Sequence, residues 1–357
     1  MGISIDEFLK TTVDRDASDL HLIAGQPPRI RQYGDLEPIA EDELDQEELT
    51  EELYRVTPAA ARREFERKDQ ADFAYELEGI ARFRVNMLRH ISGTGAIFRT
   101  IPSSPMSLED LNMPDVVRSF CRHKNGLVLV TGKTGSGKST TLAAMIDYIN
   151  STKKGHIITI EDPIEFVHER KESLISQREV GVHTSSFAAA LRSALREDPD
   201  VILVGELRDQ ETMSLAVTAA EVGILVFGTL HTNSATATVD RLVNAFPGNE
   251  QAQVRAMLST SLRAIISQQL IRKKDGKGRV AAIELMINNT GVQNLLREGK
   301  TEQLETALQG GRAAGMQTMD NALQELINKN QINGLDAYLQ ANDKSRFANF
   351  KTADIVD

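Results

Sequence analysis

The stretch GLVLVTGKTGSGKSTTLAAMI, residues 126–146, restricts what this chain can fold into more than any other segment. Residues 127–130 are a short apolar, partly β-branched run, the composition of a buried strand. Gly132, Gly135 and Gly137 open backbone angles closed to other residues, so the amides around them, including those of Thr134 and Ser136, can ring a phosphate. Lys138 then reaches toward the β/γ-phosphates, and the Ser139 hydroxyl is placed to bind Mg²⁺. Thr140 opens a run to residue 149 that reads as a helix with its N-terminal dipole facing the anion. The G-x-x-x-x-G-K-S pattern is complete and sits between strand and helix. It therefore predicts a P-loop NTPase sheet that binds a nucleotide.

Composition sets the outer bounds. A length of 357 residues suits two or so domains. No run approaches the ~20 apolar residues that a membrane span needs. Met1 is followed by Asp6 and Glu7 rather than a basic and then apolar leader, so a cytoplasmic location is expected. The single cysteine, Cys121, excludes an intrachain disulfide and a Cys-rich zinc site, and reads as a small packing residue. A net charge of −10 argues against non-specific nucleic-acid binding. The acidic stretch EDELDQEELTEEL, residues 41–53, carries Leu44, Leu49 and Leu53 and reads as a solvated amphipathic helix.

Along the chain, Ile5, Phe8 and Leu9 mark one face of an opening helix. SDLHLIAG and PPRIRQYGDLEPI read as strands joined across a Pro-Pro turn, with Gly34-Asp35 as a second turn. DFAYELEG and ARFRVNML alternate about Gly79 as a hairpin, and AIFRTI adds a strand. These make a small α+β domain over residues 1–101, with PSSPMS, 102–107, as linker. From 108 to 357 strands and helices alternate. HIITIEDP, DVILVGE and LVFGTLHT are further buried strands, and residues 185–198 form a helix with a capping serine. The expectation is a doubly wound parallel sheet of RecA-like kind. Beyond Asp240 the chain reads as mostly helical, broken by a turn and strand in KKDGKGRVAAIELM, with a helical subdomain from about 280 to 357.

Hydrolysis at a phosphate loop needs a carboxylate near the metal and a group that orients water. DVILVGELRD delivers Glu206 at a strand end, where it can bind a metal-bound water rather than the metal. EDPIE places Glu161, Asp162 and Glu165 together at a strand mouth, where three carboxylates repel unless they face a cation or water. Pro163 stops the strand, leaving Glu165 free to act as base or water-positioning group. His231 ends the fourth strand, on the sheet edge where nucleotides bind. Arg82 and Arg84 share one face of a strand, and two adjacent guanidiniums suit an anion.

Eight blocks in order, ASDLHL, ARFRVN, the phosphate loop, ITIEDPIEFVH, QREVG, ALRSALREDPDVILVGELRD, FGTLHTNSA and GMQTMD, span nearly the whole chain. In these blocks the chain resembles the secretion-type traffic ATPases, in particular their type IV pilus retraction motors (the PilT type). The resemblance implies a homohexamer of two-domain subunits, a PAS-like N-terminal domain followed by a RecA-like ATPase domain. It implies a cytoplasmic protein peripheral to the inner membrane at the pilus base. Its partners would be an inner-membrane pilus platform protein and, in some systems, a second retraction ATPase. It matches Glu165 to the family's catalytic glutamate, Glu206 to the Walker B glutamate, His231 to the His-box histidine, and Arg82 and Arg84 to phosphate-binding arginines across a domain or subunit boundary.

Three positions depart from the family pattern. Lys133 stands where proline is usual. Ser92 stands where a third arginine is usual, leaving Arg89 or His90 nearest. The helix usually written AIRNLIRE reads GVQNLLRE here, at 291–298. That last block is tied to retraction, so an accessory retraction ATPase of the PilU type stays open beside the principal motor. A related secretion or pilus-assembly ATPase would usually carry a tetracysteine element, and this chain has one cysteine. A nucleic-acid motor would need a basic, aromatic pore loop, which an acidic chain without tryptophan does not offer.

Overall fold

The computed structural model describes residues 4–101 and 105–351. Two compact units divide the chain: Met1–Ser104 with Glu165–Val167, and Pro105–Ile164 with His168–Asp357. Of the expected linker, residues 102–104 lie outside the described residues and 105–107 are irregular.

In the first unit, α1 (Ile5–Asp14) is capped by Ser4, whose side chain accepts from Glu7 N, and it buries Ile5 and Leu9. Three short strands follow, β1 (Asp19–Ile23), β2 (Arg29–Gln32) and β3 (Asp35–Pro38). The acidic segment becomes helix only from Gln46: α2 (Gln46–Val56) is capped by Asp45 and buries Leu49, Leu53 and Val56. A helix not expected from the sequence, α3 (Ala59–Lys68), buries only Ala61 and Phe65. Then come β4 (Gln70–Leu77), β5 (Ala81–His90) and β6 (Gly93–Ile101). The six strands form one sheet in the order β3-β2-β1-β6-β5-β4, each pair antiparallel. Strict alternation sends Phe83, Val85, Phe98, Leu20 and Leu22 into a core with the helices, so Arg82 and Arg84 occupy the opposite face.

The second unit begins with α4 (Val116–Cys121), which buries Cys121; burial pushes that thiol up to about 12, so it stays a packing group. β7 (Gly126–Thr131) leads through the phosphate loop into α5 (Lys138–Thr152). There follow β8 (His156–Glu161), β9 (Leu174–Glu179), α6 (Phe187–Ala194), β10 (Val201–Val204), α7 (Gln210–Glu221) and β11 (Leu225–Leu230). α8 (Ala235–Asn244) and α9 (Gln251–Ser261) lead to β12 (Leu262–Arg272) and β13 (Arg279–Ile287). The chain closes with α10 (Thr290–Glu298), α11 (Leu304–Gly310), α12 (Met319–Asn328), α13 (Gly334–Gln340) and a 3₁₀ turn at Lys344–Phe350.

The seven-stranded sheet runs β13-β12-β7-β11-β10-β8-β9. Every neighbouring pair is parallel except β12–β13, which is antiparallel. This corrects the expectation that residues beyond 240 are mostly helical. LRAIISQQLIR is a strand between β7 and β13, and the stretch from 280 is the edge strand, so helix resumes only at Thr290. Because β7 is buried on both faces, its residues alternate between two cores: Leu127 and Leu129 pack with α6 to α9, Val128 and Val130 with α4 and α5. Among the described residues, no helix is long and apolar enough to cross a membrane.

Candidate nucleotide site

The connections out of β7 and β11 leave in opposite directions. β7 runs through α5 to β8, three strands away on one side. β11 runs through α8 and α9 to β12, on the other side of β7. Neighbouring strands whose connections diverge open a crevice at their carboxyl ends, and that is where open α/β sheets bind ligands. Thr131 pairs with Leu230 there, so the phosphate loop and His231 emerge side by side.

The loop has the shape the glycines predict. Gly132 and Gly137 have φ of 144° and 88°. A Cβ at Gly132 would strike the backbone oxygen of Gln268, and one at Gly137 would stand 3.0 Å from Gln268 Nε2. α5 starts at Lys138 with Gly137 as its N-cap and no side-chain cap, so its first amides are left facing the loop. Ser136 Oγ is buried without a hydrogen-bond partner among the described residues. Lys138, 9% exposed, donates from Nζ to Gly132 O at 2.9 Å and Lys133 O at 3.1 Å, closing the cradle with its charge inside. Ser139 and Thr140 are half-buried on the first turn of α5, and Thr134 and Gly135 are exposed at the loop tip. An uncapped helix terminus, an orphan hydroxyl and an enclosed ammonium together fit a polyphosphate.

Two neighbouring strands bring the acidic groups. Glu206 Oε1 lies 3.2 Å from His231 Nε2, and its Oε2 accepts from Arg208 Nε at 2.7 Å. That hydrogen bond holds the Arg208 guanidinium above its ordinary pKa. Arg208 Nη1 is also 3.7 Å from Asp162 Oδ2. The carboxylates at the end of β8 are therefore not left to repel one another. Glu161 accepts from Thr159 Oγ1 at 2.6 Å and Gln177 Nε2 at 3.3 Å, and Asp162 faces Arg208. Glu165 is exposed. Among the described residues, no group of three or more His, Cys, Asp or Glu is gathered to hold a metal ion. Ser139 and Glu206 remain the positions from which Mg²⁺ would be reached.

In the first unit, Arg82 sits opposite Glu76 and Ile101, and Arg84 opposite Ala74 and Arg99. Arg82 Nε is buried without a partner among the described residues. Of the two residues nearest the missing third arginine, Arg89 is taken up by Asp69 at 2.7 Å, and His90 accepts from Ser92 N through Nδ1 at 3.3 Å.

Three residues beside the site carried no sequence assignment. Arg208, two residues beyond Glu206, stands in DVILVGELRD but was given no role there. The other two come from β12 and β13. Gln268, 2% exposed, donates from Nε2 to Ser136 O at 2.6 Å and accepts from Thr141 Oγ1 at 2.9 Å. Beside it Ser267 Oγ bonds Thr131 Oγ1 at 2.8 Å, so β12 is the back wall of the phosphate loop. Replacing Gln268 with leucine strands its partner in the loop, Ser136 O, and its partner on α5, Thr141 Oγ1. The KM for ATP is expected to rise about tenfold, in line with ~1–3 kcal/mol for each buried polar group left unpaired. Saturation curves of phosphate release check it, and an unchanged KM would remove Gln268 from the loop's support. On β13, Glu284 (5% exposed) accepts from Ala235 N, the first residue of α8, at 2.7 Å through Oε1. Its Oε2 accepts from Met319 N, the first residue of α12, at 3.4 Å. Burial pushes its pKa above the usual carboxylate range despite these two bonds.

The chain is similar to known proteins along nearly its whole length. Residues 2–354 match the family described as "Type II/IV secretion system protein". The chain is 52% identical, over 97% of its length and all of the relative's, to the type IV pilus retraction ATPase PilT of Pseudomonas aeruginosa. It is 39% identical to the type IV pilus ATPase PilU of the same organism, over 95% of this chain and 89% of that one. A crystal structure of the pilus retraction motor PilT with bound ADP superposes with a TM-score of 0.90 at 47% identity, covering 96% of this chain and 98% of that one.

Proposed function

Since the chain belongs to the Type II/IV secretion system protein family, we propose that it is an ATPase that powers type IV pilus retraction. The working form is a homohexamer, cytoplasmic and peripheral to the inner membrane at the pilus base, acting on a membrane platform protein. What supports this most is the convergence on one sheet edge of the phosphate loop, Glu206 and His231, the last two 3.2 Å apart, in a chain alike from end to end to a retraction ATPase.

The amides of Gly132, Thr134, Gly135, Ser136 and Gly137, with Lys138 and Thr140, hold the phosphates of ATP. Ser139 would hold Mg²⁺, with Glu206 on its far side, and the ion would supply charge neutralisation to the phosphates. Glu165 orients the attacking water and takes its proton. His231 links the γ-phosphate side to Glu206. Arg82 and Arg84, matched by resemblance to phosphate-binding arginines, stabilise charge on the transferred group, as an arginine finger does.

Fluorescence imaging of labelled surface pili in cells lacking the gene tests the assignment. Pili are expected to extend and then stall without shortening. Retraction at the parental rate would overturn the reading in favour of an accessory motor. GVQNLLRE, which forms α10 and buries Val292 and Leu296, is the feature that favours that second reading.

A further inference from the structure

We propose that Gln177 and Glu179 on β9 are positioning residues that fix the segment 162–168 at two points and, through it, set Glu165. This rests on Glu165 being the water-orienting group.

β8 ends at Glu161, and its parallel neighbour β9 begins at Leu174. The segment that follows β8 has no ladder partner, so its backbone groups must find acceptors elsewhere. Side chains of β9 supply them. Ile164 N donates to Glu179 Oε2 at 3.0 Å, and His168 N donates to Gln177 Oε1 at 2.8 Å. Residues 177 and 179 are two apart on a strand and so share one face. Arg178, between them, turns the other way to pair with Glu197 at 2.9 Å. The two bonds bracket Glu165, one at the residue just before it and one three residues after.

The anchors are themselves held. Glu179 is 7% exposed and its backbone N donates to His183 Nδ1 at 3.0 Å. Val180 N donates to Glu161 O at 2.8 Å, which ties the end of β9 back to the end of β8. Gln177 spends the other end of its amide on Glu161 Oε1 at 3.3 Å. The acceptor at Ile164 is a carboxylate, and hydrogen bonds to charged acceptors are the stronger kind. A catalytic constellation needs its members within about 0.5 Å of productive geometry. Glu165 is exposed, and the two anchored amides on either side of it fix the backbone that carries it. QREVG, residues 177–181, thereby holds the loop at the edge of the sheet.

The test uses the full-length protein and three readouts: phosphate release, affinity for a fluorescent ATP analogue, and thermal melting. Glu179→Leu removes the acceptor for Ile164, and kcat is expected to fall about 100-fold, the cost of an ~1 Å misplacement, with nucleotide affinity unchanged. Glu179→Gln keeps a carbonyl acceptor and is expected to recover most of the rate. Combining Glu179→Leu with Glu165→Gln is expected to cost nothing beyond Glu165→Gln alone, because both act at one step. Gln177→Leu, at a half-buried position, repeats the test if Glu179→Leu does not fold. Folded variants with wild-type kcat, or losses that multiply with that of Glu165→Gln, would overturn the proposal. Wild-type turnover by Glu165→Gln alone would instead sink the base assignment, a result read on a different variant.

Discussion

Lys138→Ala is expected to leave a folded protein that turns over ATP ~10²–10³-fold more slowly and binds it weakly, since a single charge-stabilising donor is commonly worth about that much. The ammonium is enclosed at 9% exposure and spans the loop from Gly132 O to Lys133 O. Alanine therefore removes the positive side chain that the cradle holds inside it and two bonds that keep the loop closed around that charge. The fold should tolerate the change, because α5 begins after Gly137 without needing a side-chain cap and alanine is a strong helix former. Phosphate release at saturating ATP, beside titration with a fluorescent nucleotide, measures both effects. Turnover above about a tenth of wild type would mean the loop is not the hydrolytic site.

Glu165→Gln is expected to separate binding from chemistry. Glutamine keeps the shape and hydrogen-bonding reach of the side chain but cannot accept a proton. A general base is commonly worth 10²–10⁴ in rate, so kcat should fall by about that much while ATP affinity is retained. Glu165 is exposed, so melting should shift little. The sharpest readout is a single-turnover experiment, in which ATP stays bound and uncleaved. A rate near wild type would transfer the base role to another carboxylate at this edge, and Glu206 is the candidate, since its oxygens already face His231 and Arg208.

The P-loop half of the site was legible in the sequence because its chemistry is local. Three glycines, a lysine and a serine at fixed spacing act within one turn, and the structure bends them as the spacing requires. Glu206 and His231 could be placed at strand ends, and the parallel register brings those ends together. What could not be read was support arriving from distant strands. LRAIISQQLIR lies in the sheet with both faces covered, so it lacks the polar–apolar alternation that betrays a strand, and directly after a helical segment it passed for helix. Gln268 was invisible for the same reason: its role exists only because β12 lies beside β7. β9 was missed because LISQRE is half-exposed at a sheet edge and carries polar residues in a row that face loops rather than solvent. α3 was missed because a helix covering one corner of a small core needs only two buried side chains, too few to set a period.

Glu284 has a mechanical meaning as well as a chemical one. Its two oxygens each hold the first amide of a different helix, α8, which leaves the strand tip bearing His231, and α12, which packs on β12 and β13 through Met319 and Leu323. A buried carboxylate that lost either partner would keep one bond for its two oxygens, a costly state in a dry interior. The start of α8, just after the strand tip that bears His231, and the start of α12 therefore share one anchor on β13.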